Sequence, residues 1–179
     1  MAQPSTLFRF RFELSDVERG KYQPLDVRTA MHPSETPIFL LTRMLAYALN
    51  FDDDLEFPPG GLSDPDAPAL RAPGKHGGLR LWIEVGNPSF RKLHRAAKAA
   101  DQVKIYTYKD PRPLLAEMRD NKIHKVESIH IFSFKQEFLD RLAALLARDN
   151  QWAVLFNEGA LTITAGNKTE QGELIRHEL

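Results

Sequence analysis

Between Leu79 and Tyr108 three consecutive segments leave little choice of fold. Leu79-Arg80-Leu81-Trp82-Ile83-Glu84-Val85 is nearly all apolar, the pattern of a strand covered on both faces. Asn87 and Pro88 combine a capping side chain with a residue suited to a first helical turn, and Phe90, Leu93, Ala97 and Ala100 then recur as one apolar stripe. Val103 to Tyr108 returns as a strand. Two strands joined through a helix of ordinary length require a crossover, so the segment predicts a βαβ unit with parallel, neighbouring strands. Trp82, Ile83 and Val85 are expected to be buried in it.

The flanking sequence extends this into an α/β fold, a single domain whose mixed central sheet is flanked by helices. Leu7 to Leu14 alternates strictly, with three Phe on one face, and Lys21 to Met31 is a second extended run whose Pro24 lacks an N–H and suits a sheet edge. An N-terminal hairpin over residues 5–31 follows. Ser34, Glu35 and Pro37 read as a helix start, and Ile38, Leu41, Leu45 and Ala48 as its buried face. Asp52 to Asp54 close that helix and Leu55 to Phe57 reads as a short strand. Residues 58–78 are rich in Pro, Gly, Asp and Ala, with room for a short strand at Ala67 to Arg71. Beyond the βαβ unit come a short helix at Pro113 to Asp120, then a strand, helix and hairpin over residues 126–165 that turns at Glu158-Gly159. The polar tail from Asn167 is expected to be loosely held.

Composition narrows the chemistry. The 24 basic and 24 acidic residues cancel, so no global positive field gathers nucleic acid and any such binding is local. With no cysteine, disulfides, thiolate metal sites and cysteine nucleophiles are all excluded. Met1 to Pro4 leads directly into the Arg-containing strand without the apolar core of a secretory signal, and no run is long enough to span a membrane, which points to the cytoplasm. The six His show no zinc-pair spacing, and the Gly pairs at 60–61 and 77–78 precede no helix start of a phosphate loop.

The order of elements from Ser34 to Tyr108 carries the functional reading. Pro65-Asp66 in the loop and Glu84-Val85-Gly86 at the end of the apolar strand resemble the two acidic elements of the PD-(D/E)XK nuclease motif. Two carboxylates converging from neighbouring strands give hard oxygen ligands for Mg²⁺ or Mn²⁺, which can activate a water for phosphodiester attack. Gly86 stands where that motif has lysine. Lys92, one turn into the next helix, is the first candidate to replace it, ahead of Arg91 and Lys104.

The blocks His32-Pro33-Ser34-Glu35, Gly61-Leu62-Ser63 with Asp66 and Pro68, Trp82 to Gly86 and Val103 to Tyr108 resemble, in order and spacing, the signature blocks of the YaeQ family. The resemblance covers most of the chain. It implies a variation on the PD-(D/E)XK nuclease fold with its core at about 34–108, in a bacterial family without an assigned activity. Ala67 and Arg71 stand where relatives are expected to have an acid and a Trp. Under this resemblance Asp66, Glu84 and Lys92 are the expected catalytic residues, with Glu35 as a third metal ligand. Glu35 equally suits a helix start.

Arg91, Arg95 and Lys98 recur along one face of the second helix with Lys92 beside them, a basic strip suited to DNA or RNA phosphates or simply to water. Three functions therefore stand side by side: a Mg²⁺-dependent nuclease, an inactive nuclease-fold module that binds nucleic acid or a transcription or repair partner, and a protein-interaction domain that uses the open edge of the N-terminal hairpin.

Overall fold

The computed structural model describes residues 4–179; the N-terminal residues Met1, Ala2 and Gln3, on which the absence of a secretory signal was partly read, lie outside the described residues. Among the described residues ten strands and four α-helices follow one another in an α/β arrangement. The strands form two five-stranded mixed sheets rather than one, and the chain divides accordingly into two compact units, residues 4–49 with 134–174 and residues 50–133 with 175–179.

The first unit pairs β1 (Thr6–Asp16) with β2 (Lys21–Met31) as the expected antiparallel hairpin, and β2 lies at the sheet edge, where the missing N–H of Pro24 is harmless. The closing hairpin, β7 (Asp149–Asn157) and β8 (Ala160–Ala165), forms as expected from its alternation. What the sequence leaves open is their union. β1 runs parallel to β7, with Phe12 beside Trp152, so the two chain ends build one sheet. Its buried face carries Phe8, Phe10, Phe12, Val154, Phe156, Leu161 and Ile163. Phe10 meets Trp152 edge to face at 5.9 Å, the arrangement favoured by the ring quadrupoles.

The polar tail is ordered: β9 (Lys168–Glu173) adds to β8, and β10 (Ile175–His177) adds to the other sheet. Strand pairing needs backbone groups, not apolar side chains, so an edge strand can be polar throughout. Gly172 is required on β9 because a Cβ there would overlap the ring of Phe138, which lies on α4 (Gln136–Ala143).

The first helix, α1 (Pro37–Asn50), starts later than Ser34. Thr36 Oγ1 accepts the Phe39 N–H at 3.1 Å and is the cap, which places Pro37 in the first turn where its missing N–H costs nothing. Ser34 instead bonds the ring of His32 at 2.6 Å.

The second unit has the strand order β10-β6-β5-β4-β3. Here β3 (Leu70–Pro73) is antiparallel to β4 (Leu79–Val85), while β4, β5 (Ala100–Thr107) and β6 (Ile129–Ser133) are parallel. The βαβ expectation holds. α2 (Phe90–Ala99) joins β4 to β5, and Trp82, Ile83 and Val85 are buried. Trp82, Val103, Ile105 and Ile131 form a core with Leu93, Ala96 and Ala97 of α2 and with Leu114 and Met118 of α3 (Arg112–Asp120). Residues 55–57 give one bridge, Glu56 to Arg71, rather than a full strand.

Candidate functional site

Glu84 is the most informative side chain of the second unit. Successive strand residues point to opposite faces, so Trp82 and Glu84 share the face covered by α2, whereas Ile83 and Val85 point away. Near the carboxyl end of β4 the Glu84 carboxylate is only 4% exposed. Both its oxygens are engaged: Oε1 accepts the Trp82 Nε1–H at 2.6 Å, and Oε2 lies 3.0 Å from the ammonium of Lys92. Burial raises the pKa of Glu84 above the ordinary carboxylate range, and Lys92 first, then the Trp82 bond, hold the rise back.

The position of Lys92 follows from how α2 begins. Ser89, not Asn87, is the cap: its Oγ accepts the Lys92 N–H at 3.3 Å. Lys92 is therefore in the first turn, and helical side chains lean toward the N-terminus, here toward the end of β4. Asn87 holds the neighbouring loop instead, accepting from Thr107 Oγ1 at 2.7 Å and donating to the Asp110 carbonyl at 3.0 Å. Gly86, just past the end of β4, has φ +85°, while its N–H donates to the Tyr106 carbonyl at 2.9 Å.

Asp66 lies in the turn before β3, exposed, and its carboxylate forms an ion pair with Arg95. Lys92 and Arg95 are three residues apart on one flank of α2, so Glu84 and Asp66 are served from the same side of the helix. Arg91 and Lys98 occupy the crest, exposed and without a salt bridge among the described residues. The strip read as one basic face thus divides in function: Lys92 and Arg95 face acids, Arg91 and Lys98 face solvent.

Glu35 has a different setting, in the first unit. Its two oxygens accept from Nε and NH2 of Arg43, both at 3.1 Å, and Oε2 also accepts the His32 N–H at 3.1 Å. Arg43 is buried too and reaches Thr29 Oγ1 and the Ala30 carbonyl, each at 3.2 Å. Glu35, the third ligand expected, is thus engaged by three hydrogen bonds, two of them from a buried guanidinium. Asp52 pairs with Arg80 at 2.7 Å.

Among the described residues no group of three or more His, Asp or Glu side chains is placed to hold a metal ion. Asp66 and Glu84 are nevertheless hard oxygen donors, and Mg²⁺ needs only one or two carboxylates when water and substrate phosphate fill the remaining positions. The donors fit Mg²⁺ in kind, provided Lys92 and Arg95 give way.

Sequence reasoning missed Trp82 as a hydrogen-bond donor, although its position two residues before Glu84 on one strand was the available signal. It also missed Arg43, which follows Glu35 by eight residues across a loop and a helix start and offers no local pattern.

The chain matches the YaeQ protein family over residues 1–174. It is 25% identical to "Uncharacterized protein YaeQ" of Escherichia coli (strain K12) over 165 residues, covering 92% of this chain and 91% of that protein. A crystal structure of YaeQ protein from Pseudomonas syringae shares 30% identity and superposes with a TM-score of 0.89, covering 99% of this chain and 98% of that one. The YaeQ protein from Xanthomonas axonopodis pv. citri gives 26% identity and a TM-score of 0.89 over 98% of this chain and 99% of that one. No helix among the described residues is long and apolar enough to cross a membrane.

Proposed function

Since this chain belongs to the YaeQ family, we propose that it acts on the phosphodiester backbone of DNA or RNA as a variant of the PD-(D/E)XK nuclease fold, with Asp66, Glu84 and Lys92 as its centre. The observation that carries this reading is the 3.0 Å pair between Lys92 and Glu84. A lysine absent from position 86 is supplied to the same carboxylate from the next helix, so carboxylate and ammonium come together although the motif is broken. A Mg²⁺ or Mn²⁺ ion held by Asp66 and Glu84 would polarise the phosphate and lower the pKa of a bound water. Glu84, buried and supported by Trp82, keeps one orientation. Lys92 retains 23% of its side-chain exposure, which lets its ammonium turn from Glu84 to a phosphate oxygen. Arg91, Arg95 and Lys98 lie along the same helix to receive neighbouring phosphates.

The deciding experiment is cleavage of assorted DNA and RNA substrates with Mg²⁺ or Mn²⁺. Cleavage that disappears in Glu84→Ala supports the enzyme; cleavage that persists in that variant assigns it to a contaminant and rejects the reading.

One observation favours a second function, binding without cutting. Glu84 and Asp66 already have basic partners, so their charge is balanced without a divalent cation. Calorimetric titration of Mg²⁺ and Mn²⁺ separates the two: a binding module takes up neither ion, whereas the nuclease reading requires uptake that weakens in Asp66→Asn and Glu84→Gln.

A further inference from the structure

The solvent-facing part of α2 has a neighbour that the basic strip alone does not reveal. Phe90 and His94 lie on the flank opposite Lys92 and Arg95, their rings stacked with centroids 5.9 Å apart. Against that flank comes the loop after α3, whose His124 N–H points to Nδ1 of His94 at 3.4 Å. This loop, Asn121-Lys122-Ile123-His124-Lys125, contains three basic side chains and no acid; Asp120 and Glu127 flank it without interrupting it. Ile123 is buried and anchors the loop on the core shared with α2, so Lys122, His124 and Lys125 are left exposed.

The loop is also held in an unusual shape. Lys125 has φ 50° and ψ 47°, a left-handed conformation that a lysine adopts only at a cost of about 1 kcal/mol or more. Its carbonyl accepts from the Ser128 N–H at 2.8 Å and from Ser128 Oγ at 2.7 Å, which fixes the turn.

We propose that the Asn121–Lys125 loop and the crest of α2 form one continuous track for a nucleic-acid phosphate backbone, with Lys122 and Lys125 contacting phosphates in addition to Arg91 and Lys98. The inference rests on the nucleic-acid reading above and deepens it by extending the surface beyond one helix. Charge complementarity selects the occupant: exposed cations from two elements, joined through His94 and His124, suit a polyanion that lies across both.

The test measures binding of labelled duplex DNA and labelled single-stranded RNA by fluorescence anisotropy across a salt series, in EDTA so that cleavage plays no part. Three double variants are compared with the wild type: Lys122→Gln/Lys125→Asn, Arg91→Gln/Lys98→Gln, and the control Lys21→Gln/Lys168→Gln, which removes two exposed charges from the other unit. Asn is chosen at 125 because it tolerates the left-handed turn, and thermal melts confirm that each variant is folded. Each neutralised phosphate contributes roughly 0.9 to the slope of log K against log salt on duplex DNA and roughly 0.7 on single strands, so loop and crest variants should each bind more weakly, with slopes shallower by about 1.8 on the duplex and about 1.4 on the RNA, while the control keeps the wild-type slope. A loop variant with an unchanged slope, a control that loses as much as the loop variant, or a wild type that binds neither probe overturns the track. Because Glu84 is untouched and no divalent metal is present, failure of the track is separate from failure of the cleavage test.

Discussion

Glu35 and Glu84 look alike in sequence, each a candidate metal ligand, and alike in burial, yet their counter-ions differ. Burial raises the pKa of both. Glu35 is paired with an arginine whose side chain is 5% exposed and whose planar fork also bonds Thr29 and the Ala30 carbonyl. Burial lowers the pKa of Arg43 in turn, with Glu35 opposing the fall. Neither partner can leave without stranding a charge. Glu84 is paired with a lysine that is 23% exposed and held by a single ammonium contact, so its cation can rotate into water or onto a ligand. A buried carboxylate becomes a candidate reactive group when its counter-ion is mobile, and a structural one when its counter-ion is locked.

The largest effect is expected for Arg43→Leu, which leaves Glu35 without its cation and should cost about 3–5 kcal/mol in urea denaturation. A loss under about 2 kcal/mol would place Glu35 in the same class as Glu84. Lys92→Met should cost less, about 1–2 kcal/mol, because Glu84 keeps the Trp82 bond and can take up a proton. Equal losses for the two variants would erase the distinction.

The pH dependence of Glu84 gives a third, smaller signal. Since its pKa is raised on folding, the folded chain binds this proton more tightly than the unfolded one. Stability from this group is therefore present below the ordinary glutamate pKa and is lost as pH rises from there through the raised value. Wild type should lose stability relative to Glu84→Gln across that window, measured by denaturation at a series of pH values; the reverse trend would mean that Lys92 outweighs burial. The smallest effect belongs to Asp66→Asn. The pair with Arg95 is 66% and 40% exposed, so its loss should cost under about 1 kcal/mol and shrink further in salt.

How much of this was legible depended on the range of the interaction. The βαβ unit, both hairpins and the edge position of Pro24 rest on local periodicity and proline chemistry, and all were readable. So was the nearness of Lys92 to the end of β4, because one turn of helix fixes how far it lies from Glu84. The parallel pairing of β1 with β7 joins Phe12 to Trp152 across most of the chain, and no local pattern encodes it. The polar strands β9 and β10 have backbone partners but no apolar alternation. Ser34 and Asn87 were read as caps because each is a capping residue near a proline. The cap fell instead to Thr36 and Ser89, the residues that precede the first helical turn. Arg43 was missed because a buried ion pair is a property of the assembled core.

The turn at Gly86 limits how a cation can be supplied to Glu84. With φ at +85°, position 86 has a backbone that a lysine can adopt only under strain of about 1–3 kcal/mol. A lysine substituted there starts from a strained turn, whereas Lys92 reaches the same carboxylate from α2 and leaves the backbone at 86 as it is.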